Sequence, residues 1–448
     1  ESWENNSADF NGNTGTWASM TVDKDAGLVY VPIEDPTDDY YGGGRPGNDL
    51  FADSIVALDN QTGKMKWYYQ MVHHPIWDLD ASSPPLLVDI TVDGKPIKAV
   101  AVPGKEAFLY TFDRITGKPV WPIVEKPVTQ SDVPGEKTAK TQPYPTKPAP
   151  YARQIITDAE LVDFTPELHA KAQAIVKQYY KMAKTPIYEP PVLSNPTGGY
   201  PSAMLGTAPS SGTNWPGSGF NPETQVVFAP SGNGSSLQGL VPLPEGLSDI
   251  KYDAGVGGQV FRISGGPGFG TASDAPKVSN DDQKLAAALA AHPQRPVGPP
   301  PPRQVDGLPL HKPPYGTITA INLNTGDTLW HVANGDTPDE IKDNPALKGL
   351  NIPRTGQNDM NTGGLMMTKS LVINGDGAYT TKPGHPRGAY LRAFDQKTGE
   401  EVGAVYMPAP ESADPMSYSL DGKQYIVVAV SGGNYSGDYL AFSLPQSQ

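Results

Sequence analysis

The chain has 448 residues, with 48 Gly, 48 Pro, no Cys and a formal net charge of −14. The absence of Cys excludes disulfide frameworks, thiolate zinc centres, cysteine nucleophiles and covalently attached c-type haem, while leaving the compartment open. The acidic balance argues against a nucleic-acid partner, which needs a basic face, and no apolar run approaches the about 18 residues of a membrane span. Hydrophobic residues make up 37% before Gly is counted, so a large buried core is expected.

The chain opens Glu1-Ser2-Trp3-Glu4, without an initiator Met or a leader-type segment, and reads as processed or truncated. The first recurring unit starts at Trp17, WASMTVDKDAGLVYVP, and returns at Trp215, WPGSGFNPETQVVFAP. Each places Asp23 or Asn221 in a turn, then Tyr30 or Phe228, then Pro32 or Pro230. A second unit begins at Ile55 (IVALDNQTGKMKW), Leu109 (LYTFDRITGKPVW), Ile318 (ITAINLNTGDTLW) and Leu391 (LRAFDQKTGEEVG). Each reads as a strand, a turn and a second strand. Asp59, Asp113, Asn322 and Asp395 cap the turn through side-chain to backbone bonds. Gly63, Gly117, Gly326 and Gly399 supply the positive φ of a tight turn. In the first three copies a Trp follows the turn and is expected to pack on a neighbouring unit; the fourth carries Gly403 there.

Two interleaved hairpin classes predict an all-β fold of four-stranded sheets repeated around an axis, a β-propeller. The competing reading is an irregular β-sandwich with chance turns. The rhythm breaks at about 123–200 and 232–310, read as surface insertions in a single domain over 1–448. Within them, 165–183 predicts a helix with Thr165 as N-cap and Pro166 at its first position. Residues 281–291 predict a second helix, and 265–270 and 296–303 are rich in Gly and Pro.

The densest cluster of reactive side chains is VHHPIWDLD, Val72–Asp80. A carboxylate beside His and Trp on a propeller loop suits a general base or a metal ligand. The same residues also suit a surface turn of His–Asp hydrogen bonds, so by themselves they leave both readings open.

LVYVP, DPTDDYYGGGRPGNDLFADSIVALDNQTGKMKWYYQ and VHHPIWDLD together resemble the quinoprotein dehydrogenases, which use pyrroloquinoline quinone (PQQ). PPYGTITAINLNTGDTLW and the final DPMSYSLDGKQYIVVAVSGGNYSGDYLAFSLP extend the resemblance, which weakens between about 232 and 310. The His-His-x-x-Trp-Asp-x-Asp form and the Thr141-Gln142-Pro143 run resemble the membrane-type glucose dehydrogenase subgroup. The resemblance implies an eight-bladed propeller with tryptophan-docking hairpins, of which this chain would carry about five blades, beginning near the fourth. It implies oxidation of an alcohol or sugar hydroxyl, with electrons passed to a quinone or a separate cytochrome, in the periplasm.

Carried over residue by residue, the resemblance makes Asp78 the catalytic base and Lys105 the cation that polarises the quinone. Trp17 becomes the indole that stacks on the cofactor, Asn214 and Trp215 the pair at its polar edge, and His74 a neighbour of the site. The metal position, Ca²⁺ or a lanthanide or other divalent ion, falls on Asp35 with Glu34 beside it, together with Asp78 and Asp80. Here the chain departs from relatives that place Asn in that loop. The alternative function is a non-catalytic propeller that serves as a binding or assembly scaffold. Retention of Trp17, Asp78 and Lys105 together favours the enzyme.

Overall fold

Each Asp-x-x-Thr-Gly unit forms the turn of an antiparallel hairpin. The Asp59 carboxylate accepts from the backbone N–H of Gln61 and Thr62 and from the Thr62 hydroxyl, at 2.9–3.1 Å. Asp113 and Asp395 repeat this set of three bonds. Gly63, Gly117, Gly326 and Gly399 all have φ between 67° and 74°, where a Cβ would be strained.

In the computed structural model, which describes residues 2–9, 11–243, 250–257, 259–260, 300–357 and 363–444, four antiparallel sheets carry these turns and a fifth follows them in the chain. Blade 1 runs Thr21–Asp23, Leu28–Ile33, Ser54–Asp59 and Met65–Gln70. Blade 2 holds Leu86–Val92, Lys95–Pro103 and Leu109–Asp113. Its expected fourth strand shrinks to one bridge, Phe112 to Pro119, because Pro119 and Pro122 lack the N–H that a ladder needs. Blade 3 is built around Val226–Asn233, Gly316–Asn322 and Asp327–Ala333. Blade 4 is Leu365–Met367, Leu371–Gly375, Ala389–Asp395 and Glu401–Met407. Blade 5 is Glu411–Leu420, Lys423–Gly432 and Tyr435–Ser443.

Blades 1 and 2, and blades 3 and 4, are joined by tryptophan. The Trp67 indole N–H of blade 1 donates to the Arg114 carbonyl of blade 2 at 3.1 Å. Its ring covers Gly117 so closely that a Cβ there would lie 2.6 Å from it. Tyr30 and Phe112 flank the same ring, each 5.9 Å away between centroids. Blades 3 and 4 repeat the arrangement. Trp330 donates to the Gln396 carbonyl at 2.9 Å, covers Gly399 at 2.8 Å and meets Phe228 at 5.6 Å. Removing such a buried indole costs roughly 3–5 kcal/mol. Trp121 does not dock in this way. The chain turns into the first insertion just after it, and the Lys147 stem lies over Gly326 instead, with its ammonium on the Thr325 carbonyl.

The insertions fold on one another. The helix Pro166–Tyr179 has Thr165 as its N-cap, accepting from the Leu168 N–H at 3.1 Å, and Pro166 at its start. It ends sooner than the sequence suggests, because Tyr180–Met182 becomes a strand paired with Ala203–Gly206. That strand pairs in turn with Ser236–Pro242 of the second insertion. Leu168, Ala172 and Val176 bury the helix face against Ala203, Leu205 and Leu308. The helix expected over 281–291 lies outside the described residues, as does 265–270.

Candidate active site

The loop that leaves blade 1 after Gln70 carries the central residues. Trp77 is fully buried and donates to the Glu189 carbonyl at 2.8 Å, which fixes the backbone on which Asp78 sits. Asp78 has φ +57° and His74 +46°. Such left-handed positions cost roughly 1–2 kcal/mol for a non-glycine residue, so the surrounding bonds must hold them.

Lys105 lies in the turn after the strand Lys95–Pro103 and is 5% exposed. Its ammonium donates to Asp78 at 2.8 Å and to Asp80 at 2.6 Å. Burial works against the lysine's charge, but the two carboxylates outweigh it and raise its pKa. The same ammonium lies 5.9 Å from the centroid of the Trp17 ring. Trp17 is 45% exposed, so part of its indole surface is accessible beside a fixed cation, a combination suited to a flat anionic ring.

Asp78 divides its carboxylate between two donors. Oδ1 takes Lys105, and Oδ2 takes the Tyr40 hydroxyl at 3.1 Å. Its side chain remains 24% exposed. Burial raises its pKa, Lys105 lowers it and Asp80 raises it again, with a net upward shift. A reachable carboxylate made more basic by its surroundings can accept a proton.

A second acidic group lies beneath. Asp35, Asp53 and Asp80 each bring a carboxylate oxygen within 4.8 Å of the others, and all three are buried. Asp80 also accepts from the Asp35 backbone N–H at 2.9 Å. Neither carboxylate oxygen of Asp35 or of Asp53 has a hydrogen-bond donor among the described residues. Burial, then neighbouring carboxylates, raises the pKa of both. Buried carboxylates without donors, crowded together, are the donor set a hard cation stabilises. The residues therefore fit a metal ion.

Asn214 and Trp215 arrive from blade 3. The Thr213 N–H donates to the Gly104 carbonyl at 3.1 Å and the Ser83 hydroxyl to the Asn214 carbonyl at 3.0 Å. This lays the Asn-Trp segment against both the Asp80 and Lys105 loops. Glu34 receives the Gly15 N–H at 3.1 Å, which ties it to the Trp17 segment and not to the three-Asp group. Asp78 is likewise outside that group. His74 is turned into the protein. Its Nε2 meets Glu136 at 2.7 Å, and its Nδ1 meets the Gly47 carbonyl at 2.7 Å and Asp49 at 3.3 Å. Burial opposes its charge, but Asp49 and Glu136 push its pKa up to about 9.

The domain model described as "PQQ: Glucose/ethanol/alcohol dehydrogenase, beta-propeller domain" matches residues 1–426. The chain belongs to this PQQ-dependent dehydrogenase family. Among the family's proteins it is 29% identical to a quinate/shikimate dehydrogenase (quinone) of Acinetobacter baylyi, over 96% of this chain and 49% of the relative. It is also 29% identical to a quinoprotein glucose dehydrogenase of Gluconobacter oxydans, over 97% and 50%. The chain thus spans about half the length of the relatives it matches. In structure it is similar to a quinohemoprotein alcohol dehydrogenase of Comamonas testosteroni, with TM-score 0.51 and 20% identity over 94% of this chain and 45% of the other. That similarity bears on the fold, and it agrees with the propeller reading against the β-sandwich. Both relatives are named as dehydrogenases.

Three residues escaped the sequence reading. Asp53 sits in FADSIVALD, where it reads as a turn residue before a strand. Only the pairing of Ser54–Asp59 with Leu28–Ile33 carries it to Asp35. Tyr40 was one aromatic in a Gly-rich loop. Glu136, in an insertion, closes the His74 network.

Proposed function

We propose that this protein is a PQQ-dependent dehydrogenase that oxidises the carbinol carbon of an alcohol or a sugar. The supporting observation is the placement of Lys105 between Asp78 and Asp80, beside the partly exposed Trp17. When bound, PQQ supplies the two-electron acceptor for the hydride. Asp78 takes the hydroxyl proton onto its exposed carboxylate. Lys105 holds a positive charge where negative charge develops, without reorganisation during the reaction. Trp17 provides the stacking floor, and the Asn214-Trp215 segment lies at its polar edge, where an amide side chain can meet the cofactor's polar groups.

Asp35, Asp53 and Asp80 would hold the metal ion, Ca²⁺ or a lanthanide or other divalent ion. Such an ion would act as a Lewis acid next to the base. Electrons would pass on to a quinone or a separate cytochrome, in the periplasm. Among the described residues no helix is long and apolar enough to cross a membrane.

The test is reconstitution of the intact protein with PQQ and Ca²⁺, followed by absorbance and by dye reduction with alcohols and aldoses. Binding of the quinone with substrate-dependent dye reduction is expected. Failure to bind PQQ would remove the proposal.

A further inference from the structure

The base is held from two sides, and only one of the holders is a cation. Tyr40 donates its hydroxyl to Asp78 Oδ2 at 3.1 Å, opposite Lys105 on Oδ1. Tyr40 is itself anchored, because its backbone N–H donates to Asp38 Oδ1 at 3.1 Å. The loop around it is pinned by Arg45, which is buried and donates to the carbonyls of Asp38 (2.6 Å) and Pro75 (2.5 Å). The same loop begins at Asp35, an acid of the metal group. One hydrogen-bonded segment therefore carries both an acid of the metal group and the second holder of the base.

We infer that Tyr40 is a positioning residue for proton removal, fixing the plane of the Asp78 carboxylate so that its exposed lone pair points at the substrate hydroxyl. With Lys105 alone, the carboxylate could rotate about its Cβ–Cγ bond while keeping one salt-bridge oxygen. A second donor on the other oxygen removes that freedom. Orientation of this kind acts on the chemical step and leaves substrate binding largely untouched. The inference rests on Asp78 being the base.

The test is Tyr40→Phe in the PQQ- and metal-loaded protein, a change that keeps the ring and removes only the hydroxyl. The expected result is kcat about tenfold lower, with KM, PQQ affinity and metal affinity changed by less than about twofold. The deuterium isotope effect on kcat, with substrate labelled at the carbinol carbon, should rise as the chemical step becomes more limiting. Unchanged kcat and isotope effect would overturn the inference. So would a loss of PQQ or metal affinity that accounts for the lost rate, since that marks a structural role. Asp78→Asn, measured in parallel, separates the two layers. If it keeps turnover, the base assignment falls and takes Tyr40 with it. If it is inactive while Tyr40→Phe is normal, the Tyr40 inference falls alone.

Discussion

Lys105 and Asp78 form a partly buried ion pair at 2.8 Å in which the lysine is also bonded to Asp80 at 2.6 Å. A lysine shared by two carboxylates has no rotational freedom to spare, and its charge is fixed in place before any substrate arrives. Lys105→Ala should therefore lower kcat on the order of 10²-fold, as loss of a preorganised electrostatic donor does. It should also lower thermal stability, because two neighbouring carboxylates then lose the cation between them. Steady-state kinetics of the loaded protein would show this. A change below about threefold would make Lys105 a bystander.

Asp53 lies in the three-Asp group with neither of its oxygens hydrogen-bonded. Asp53→Asn should weaken metal binding roughly ten- to hundredfold, since ligand charge sets affinity in such sites. Calcium titration by calorimetry, or luminescence of bound terbium, reads this without turnover. In the metal-free protein the same change should be stabilising, because it removes a crowded buried carboxylate. Unaltered affinity would exclude Asp53 as a ligand.

Blade docking is tested at glycine. Gly117 and Gly63 have nearly the same φ, 71° and 67°, yet a Cβ at Gly117 meets the Trp67 ring at 2.6 Å while one at Gly63 meets nothing within 4 Å. Both alanine variants incur the left-handed cost of roughly 1–2 kcal/mol. Gly117→Ala adds an overpacking cost of about 1–3 kcal/mol. Thermal melts should place it clearly below Gly63→Ala. Equal melts would mean that the Trp67 contact contributes little.

His74 links the loop bearing Asp35 and Tyr40 to the insertion bearing Glu136. Its folded pKa, about 9, lies above the ordinary value of 6.5. The stability it contributes is therefore fully present below about pH 6.5 and is lost as pH rises through about 9, on the order of 3 kcal/mol. Chemical denaturation at pH 6, 8 and 10 should show this decline, and His74→Gln should flatten it. An identical slope in the variant would take His74 out of the effect.

The hairpins were legible because their signal is local. Asp59 and Gly63 are four residues apart, and both belong to one turn whose geometry those residue types dictate. The helix at Thr165 was legible for the same reason, through its cap. Its end was not, because Tyr180 leaves the helix to pair with Ala203, a partner more than twenty residues away. The fourth strand of blade 2 failed on Pro119, a local signal outweighed by the repeat.

At the site, the VHHPIWDLD run stood out by pattern and Lys105 only through the family resemblance, and the fold brings Asp78, Asp80, Lys105 and Trp17 together. His74 shared that run, but its side chain serves Glu136 and Asp49. Asp53 and Tyr40 could not be read from spacing, since strand return and loop closure create their contacts.

Asp78 carries the central claim, and one variant tests it most directly. Asp78→Asn should bind PQQ and metal with near-normal absorbance, because the amide keeps the size of the side chain and the three-Asp group remains. It should show no measurable dye reduction with any alcohol or aldose that the unaltered protein oxidises. Turnover within about tenfold of normal, with cofactor bound, would contradict the account.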